Sequence, residues 1–178
     1  MKGKILISSP NLLTDMIFYK SIILLVDESS DGHTGFILNR PGGILYMKNE
    51  NHTPSKKFKF NFGGPVSDQT FFIINKQIKN LEVSWVENSI YWGNNVQTAI
   101  EFINNGKISI NDIIFFQGYS GWDSEQLESE IKDKSWIVID NYSFNLFNLK
   151  KNSWNKIING LGHKYRIWSN SPDDISLN

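Results

Sequence analysis

The residues with the clearest chemical potential lie in two places, Gly118-Tyr119-Ser120-Gly121-Trp122 and Asn39-Arg40-Pro41. A serine between glycines, after an apolar run and before a helix, is the setting of a nucleophile elbow, and Asp140 and His163 follow in the order serine, acid, histidine. The elbow, however, requires glycine two residues after the serine, and Gly121 comes one after it. No His-Gly-Gly oxyanion motif precedes it either. Ser120 is therefore a weak catalytic candidate, and the competing reading is a small residue packed in a tight turn. Arg40 carries a guanidinium fork suited to a carboxylate or phosphate. Its alternatives are an internal ion pair with Asp123 or Glu125, or bonds to turn carbonyls. His33, His52 and His163 show neither H-x-x-x-H nor HExxH spacing, so no metal site is expected. Neither GxxxxGK[ST] nor GxGxxG occurs, and no nucleotide or other cofactor is expected.

The elements that must position these residues follow from hydrophobic pattern. Ile113-Ile114-Phe115-Phe116 reads as a buried strand. Gly118 and Gly121 can both take positive φ, which predicts a sharp turn carrying Tyr119 and Ser120. Asp123 with Gln126 predicts a capping box, and Leu127 and Ile131 share the buried face of the helix that follows. Trp122, flanked by the turn, is expected to line a pocket.

Upstream, Lys4–Ser8, Ser21–Asp27 and His33–Asn39 read as strands, the last two joined through Asp31-Gly32 as an antiparallel pair. Asn49–Lys59 reads as an exposed loop and Phe60–Gly63 as a strand entering the Gly63-Gly64-Pro65 turn. Thr70–Asn75 is a further strand, and Leu81–Glu87 and Ile90–Trp92 are short edge strands. Val96–Asn104 is an amphipathic helix ended by Gly106. Ser135–Asp140 is a strand, and Ser143–Lys150 and Ser153–Leu161 are helices. The polar residues 168–178 are expected to fray. The order is β-rich, then βαβ-like, then helical. It predicts one α+β domain spanning 1–178 with a mixed sheet.

Composition narrows the function classes. A chain of 178 residues, 40% hydrophobic and 13% aromatic, can bury a core and is neither disordered nor fibrous. Its formal net charge of zero gives no global attraction to nucleic acid or anionic lipid. With no cysteine there are no disulfides, thiolate metal sites or cysteine redox chemistry. No apolar run suits a signal peptide or a membrane span, so the expected location is the cytoplasm. Charge is uneven locally. Asp123, Glu125, Glu128, Glu130 and Asp133 cluster around a single base, Lys132. Lys150, Lys151, Lys156, Lys164 and Arg166 lie in a stretch, 141–172, that has no acid. Two solvated faces account for this more simply than a nucleic-acid surface.

The Gly118–Trp122 block, followed by Gln126-Leu127-Glu128, Glu130 and Trp136, resembles the signature of the YqgE/AlgH family, also called UPF0301 or DUF179. Gly3–Ser8, Gly35–Pro41, Phe62–Val66 and Tyr91-Trp92-Gly93 agree and fall in the family's order. The chain departs from the pattern at Ser120, where alanine is usual. It departs again at Asp123-Ser124-Glu125, in place of a Gly/Pro-rich turn, and at Asn94, in place of glycine. The resemblance implies an uncharacterised bacterial protein with a bent mixed sheet, partly closed like a barrel and surrounded by helices. One branch of the family carries a transcriptional-regulator label.

Together these readings lead to a non-enzymatic regulatory or binding module. Its expected cleft is formed by Asn39, Arg40, Gly63, Gly64, Tyr119, Ser120, Gly121 and Trp122, and takes a small anionic ligand or a protein partner. The alternative is a hydrolase acting on a small anionic substrate, with Ser120 or a bound water attacking and Arg40 holding the anion. With no helix-turn-helix pattern, direct DNA binding is not expected.

Overall fold

The computed structural model describes residues 1–12, 14–48, 54–163, 165 and 168. Among them the chain forms ten strands and three α-helices. In chain order these are β1 (Ile5–Ser8), β2 (Ile22–Ser29), β3 (Gly32–Ile37), β4 (Pro41–Lys48), β5 (Pro54–Phe62), β6 (Val66–Ile74), β7 (Ser84–Glu87), β8 (Ile90–Gly93), α1 (Val96–Asn104), β9 (Ile113–Trp122), α2 (Ser124–Lys132), β10 (Trp136–Ile139) and α3 (Ser153–Gly160). Ile5–Ile7 and Ile22–Val26 have no exposed surface, as their unbroken apolar runs require of strands covered on both faces.

The main path runs β10-β1-β2-β3-β9-β6-β8-β7, with β5 branching from β9 and β4 from β5. Among the described residues only the β5–β9 pair is parallel, so the sheet is mixed. β9 is the hub. One edge pairs with β6; the other is shared between β5, over Phe60↔Phe115 to Phe62↔Gln117, and β3, over Gly35↔Ser120 to His33↔Trp122. This shared strand ties the β1–β3 half to the β4–β8 half in one α+β domain.

Several expectations are corrected. The chain does not turn at Gly118–Gly121 but runs extended through Trp122, and of these two glycines only Gly118 has positive φ, 69°. The glycines serve a close approach of backbones. A Cβ on Gly63 would collide with the Gly118 carbonyl, and one on Gly64 with the Tyr119 carbonyl. Asn49–Lys59 is not wholly loop. Its portion from Pro54 onward belongs to β5, which pairs with β4 as a hairpin, while residues 49–53 lie outside the described residues. Lys57 and Lys59 are exposed while Phe58 between them is 3% exposed, the alternation of a half-buried strand.

Ser143–Lys150 holds only a 3₁₀ turn, Leu146–Asn148. The Asn145 side chain accepts the Phe147 amide at 2.9 Å, a local bond that competes with helix. β9, α2 and β10 make no parallel βαβ unit, because β10 joins the far edge antiparallel to β1. Nor does the sheet close like a barrel. The four-residue strands β10 and β7 end the path without pairing to each other. Apart from Trp168, the expected frayed segment 168–178 lies outside the described residues.

The helices α1 and α2 match expectation. α1 buries Ala99 and Ile100 and ends before Gly106, whose φ is 72°. Gln126 accepts the Asp123 amide at 3.2 Å, completing the capping box of α2. No helix among the described residues is long and apolar enough to cross a membrane.

Candidate functional site

Arg40 follows β3 and is half-buried in the lining of a cavity of about 380 Å³. The cavity is lined by Tyr19, Lys20, Asn39, Arg40, Pro41 and Lys151, a set with three cations and no carboxylate among the described residues. The turn ahead of β2 builds one wall. Asp15 Oδ1 accepts the amides of Ile17 at 2.8 Å and Phe18 at 2.6 Å, which winds the chain tightly. Lys20 then sits at φ 50°, in the left-handed region a non-glycine residue rarely adopts. Its ammonium lies 5.5 Å from the Tyr19 ring centre and 5.6 Å from that of Trp154, in cation–π geometry.

Arg40 Nη2 donates to the Tyr19 carbonyl at 3.2 Å, and the guanidinium stands 5.8 Å from the Phe62 ring centre. Of the sequence alternatives for Arg40, the bond to a turn carbonyl is the one found. That bond occupies one of five guanidinium N–H groups. Burial lowers the Arg40 pKa from its ordinary value, and the charge of Asp15 acts in the opposite direction. Asn39 serves as a clamp. Its Oδ1 accepts the Ile22 amide at 2.9 Å and its Nδ2 donates to the Lys20 carbonyl at 2.8 Å, which fixes the turn against β2. Lys151 comes from the segment leading into α3 and is exposed.

The residues expected to form one cleft fall into three environments. Asn39 and Arg40 line the cationic cavity. Gly63, Gly64 and Ser120 form a buried seam instead. Ser120 has no exposed surface, and its hydroxyl donates to the Gly63 carbonyl at 3.1 Å. Asp140, the acid expected to follow it, is exposed and pairs with Lys4 at 2.9 Å. Tyr119, Gly121 and Trp122 border a separate shallow groove with Asp27, Asp31 and Asp123, opposite in charge to the Arg40 cavity.

Trp122 is nonetheless mostly core, 5% exposed, with its ring stacked 6.1 Å from Phe18. Its indole N–H donates to Glu130 Oε2 at 2.9 Å, and Trp136 donates to the same oxygen at 2.7 Å. The sequence reading missed Tyr19, Lys20 and Lys151 as cavity residues. Only the base-rich, acid-free stretch 141–172 carried a signal for the last.

The AlgH-like family model DUF179 matches residues 5–166. A UPF0301 protein of Cytophaga hutchinsonii is 33% identical over 180 residues, covering 99% of this chain and 98% of its own. One from Bacteroides fragilis is 35% identical over 184 residues, covering 99% of this chain and 91% of its own. The solution structure of the AlgH protein from Pseudomonas aeruginosa shares the fold with a TM-score of 0.72 at 20% identity, covering 96% of this chain and 93% of that one. Matched over most of its length by the family model, and more than 30% identical to full-length relatives, this chain belongs to the AlgH-like DUF179 family.

Proposed function

We propose that the protein is a non-enzymatic regulatory module of the cytoplasm that binds a small anion in the cavity beside Arg40. The observation that carries this reading is the grouping of Arg40, Lys20 and Lys151 around one cavity of about 380 Å³ with no carboxylate in its lining among the described residues. Part of the cost of ordering Arg40 is met before a ligand arrives, through the Tyr19 carbonyl and the Phe62 ring. Hydrogen bonds to charged groups contribute about 1.5–3 kcal/mol each, so a few such contacts suffice for a small ligand. Phosphate- and carboxylate-bearing metabolites are the ligand class that this donor set suits. Any link to transcription then runs through a protein partner, since zero net charge favours no direct hold on DNA.

Calorimetric titration with inorganic pyrophosphate and with citrate at low salt tests the proposal. Saturable binding that weakens about tenfold or more in Arg40→Gln is expected. Unchanged binding in a folded Arg40→Gln protein would remove the site.

A further inference from the structure

Among the described residues, β5 leaves part of one edge without a ladder partner. It pairs with β4 along its length, but with β9 only over Phe60–Phe62. Toward the N-terminal end of β5, no pairing to Ile113 or Ile114 of β9 is present among the described residues. A second cavity of about 390 Å³ lies there, lined by Lys57, Phe58, Lys59 and Asn61 from β5, by Ile110, Ile113, Ile114 and Phe115, and by Phe147 and Leu149.

The parity of the lining residues locates this cavity. Successive side chains of a strand point to opposite faces, yet Lys57, Phe58 and Lys59 all border it, as do Ile113, Ile114 and Phe115. Phe58, Ile113 and Phe115 are 3%, 4% and 1% exposed, so they meet the cavity chiefly through their backbone, along the strand edges. Its two sides differ in chemistry. Phe58, Ile113 and Phe115 belong to the apolar cluster that also holds Ala99 and Ile100 of α1. Lys57 and Lys59 are on the other face and exposed, with Ile114, Phe147 and Leu149 half-buried near the opposite cluster. No carboxylate is among the described lining residues, and Ile110 at its border is 50% exposed.

We propose that this cleft docks an extended segment of a protein partner in which acidic and apolar residues alternate, added as a strand on the open edge of β5. An extended chain is the occupant whose own N–H and C=O groups satisfy a strand edge. Its period of two sends apolar side chains toward Phe58 and Phe115 and acidic ones toward Lys57 and Lys59. The match of charge selects an acidic partner over a basic one. The site shares no lining residue with the Arg40 cavity, so either can fail alone.

The test uses a fluorescein-labelled peptide alternating glutamate and valine, titrated into the full chain. Three comparison peptides accompany it: one alternating lysine and valine, one alternating glutamate and serine, and the first with all of its backbone amides N-methylated. Saturable binding of the first alone is expected, with amide shifts confined to Lys57–Asn61 and Ile110–Phe115. Lys57→Glu combined with Lys59→Glu, both exposed positions, is expected to weaken it about tenfold or more.

N-methylation alters the peptide and leaves the protein fold untouched. Retained affinity of the methylated peptide would overturn strand addition. Equal binding of the lysine–valine peptide, or no saturation at millimolar peptide, would overturn the proposal outright. So would decanoate displacing the peptide as the tighter ligand of the cleft, since it would make the cleft a small-molecule site.

Discussion

The hydroxyl of Ser120 donates to the carbonyl of Gly63 at 3.1 Å, with Ser120 wholly buried. This bond fastens β9 to the chain entering β6, where the two backbones approach too closely for any larger side chain at Gly63 or Gly64. Ser120→Ala removes the donor and leaves a carbonyl that already accepts the Ile37 amide at 3.0 Å. The expected loss is therefore modest, about 0.5–1.5 kcal/mol by denaturant unfolding. Anion binding at the Arg40 cavity should not change. A larger loss of ligand affinity than of stability would reinstate Ser120 as a site residue.

Gly64 adopts φ 152°, and an added Cβ would strike the Tyr119 backbone. Gly64→Ala should cost about 3 kcal/mol or more, because neither strand can move without breaking its ladders. A midpoint shift in urea within error of wild type would contradict the close-approach account of these glycines.

Glu130 joins α2 to two tryptophans, accepting Trp122 and Trp136 on one oxygen and the Gln126 amide, at 2.8 Å, on the other. Glu130→Ala leaves two partly buried indole N–H groups without their acceptor. Each such group costs about 1–3 kcal/mol, so a total loss of about 2–6 kcal/mol is expected for the two. Tryptophan emission should shift to the red as water reaches the rings. Glu130→Gln keeps an acceptor and should recover much of the loss.

Asp112 lies in the turn before β9, bonded to Lys76 Nζ at 2.6 Å and to Asn75 Nδ2 at 3.1 Å. The Lys76 bond first, then that of Asn75, lowers its pKa below the usual carboxylate value. A depressed carboxylate contributes stability above its unfolded-state pKa, and the contribution is lost as pH falls through the folded-state value. Carbon-detected NMR titration should find the Asp112 carboxyl titrating below ordinary aspartates. Lys76→Met should move it up, and an unmoved midpoint would mean that the ion pair does not persist in solution.

The strands buried on both faces were legible because nothing but an apolar run can fill them, as in Ile5–Ile7, Ile22–Val26 and Phe71–Ile74. β5 was not, because the lysines flanking Phe58 made a half-buried strand resemble a polar loop. The cluster Gly118–Gly121 is ambiguous in sequence for a different reason. Glycine permits a turn and permits a neighbouring backbone equally, and here the deciding neighbour is Gly63-Gly64, far away in sequence.

Likewise Arg40 was legible as a guanidinium at a strand end. Its companions Lys20 and Lys151 were not, since their convergence depends on how the turn before β2 and the approach to α3 pack together. Trp122 stands out in the sequence as an aromatic beside glycines. Only the positions of Glu130 and Trp136 in the fold reveal that its N–H is already satisfied.

The most direct measurement of the central claim is an amide chemical-shift map of the isotope-labelled chain titrated with pyrophosphate at low salt. Saturable shifts concentrated at Tyr19, Lys20, Asn39, Arg40 and Lys151, and lost in Arg40→Gln, are the predicted result. Small, non-saturating shifts scattered over the exposed lysines, indifferent to the Arg40 substitution, would contradict a built anion site.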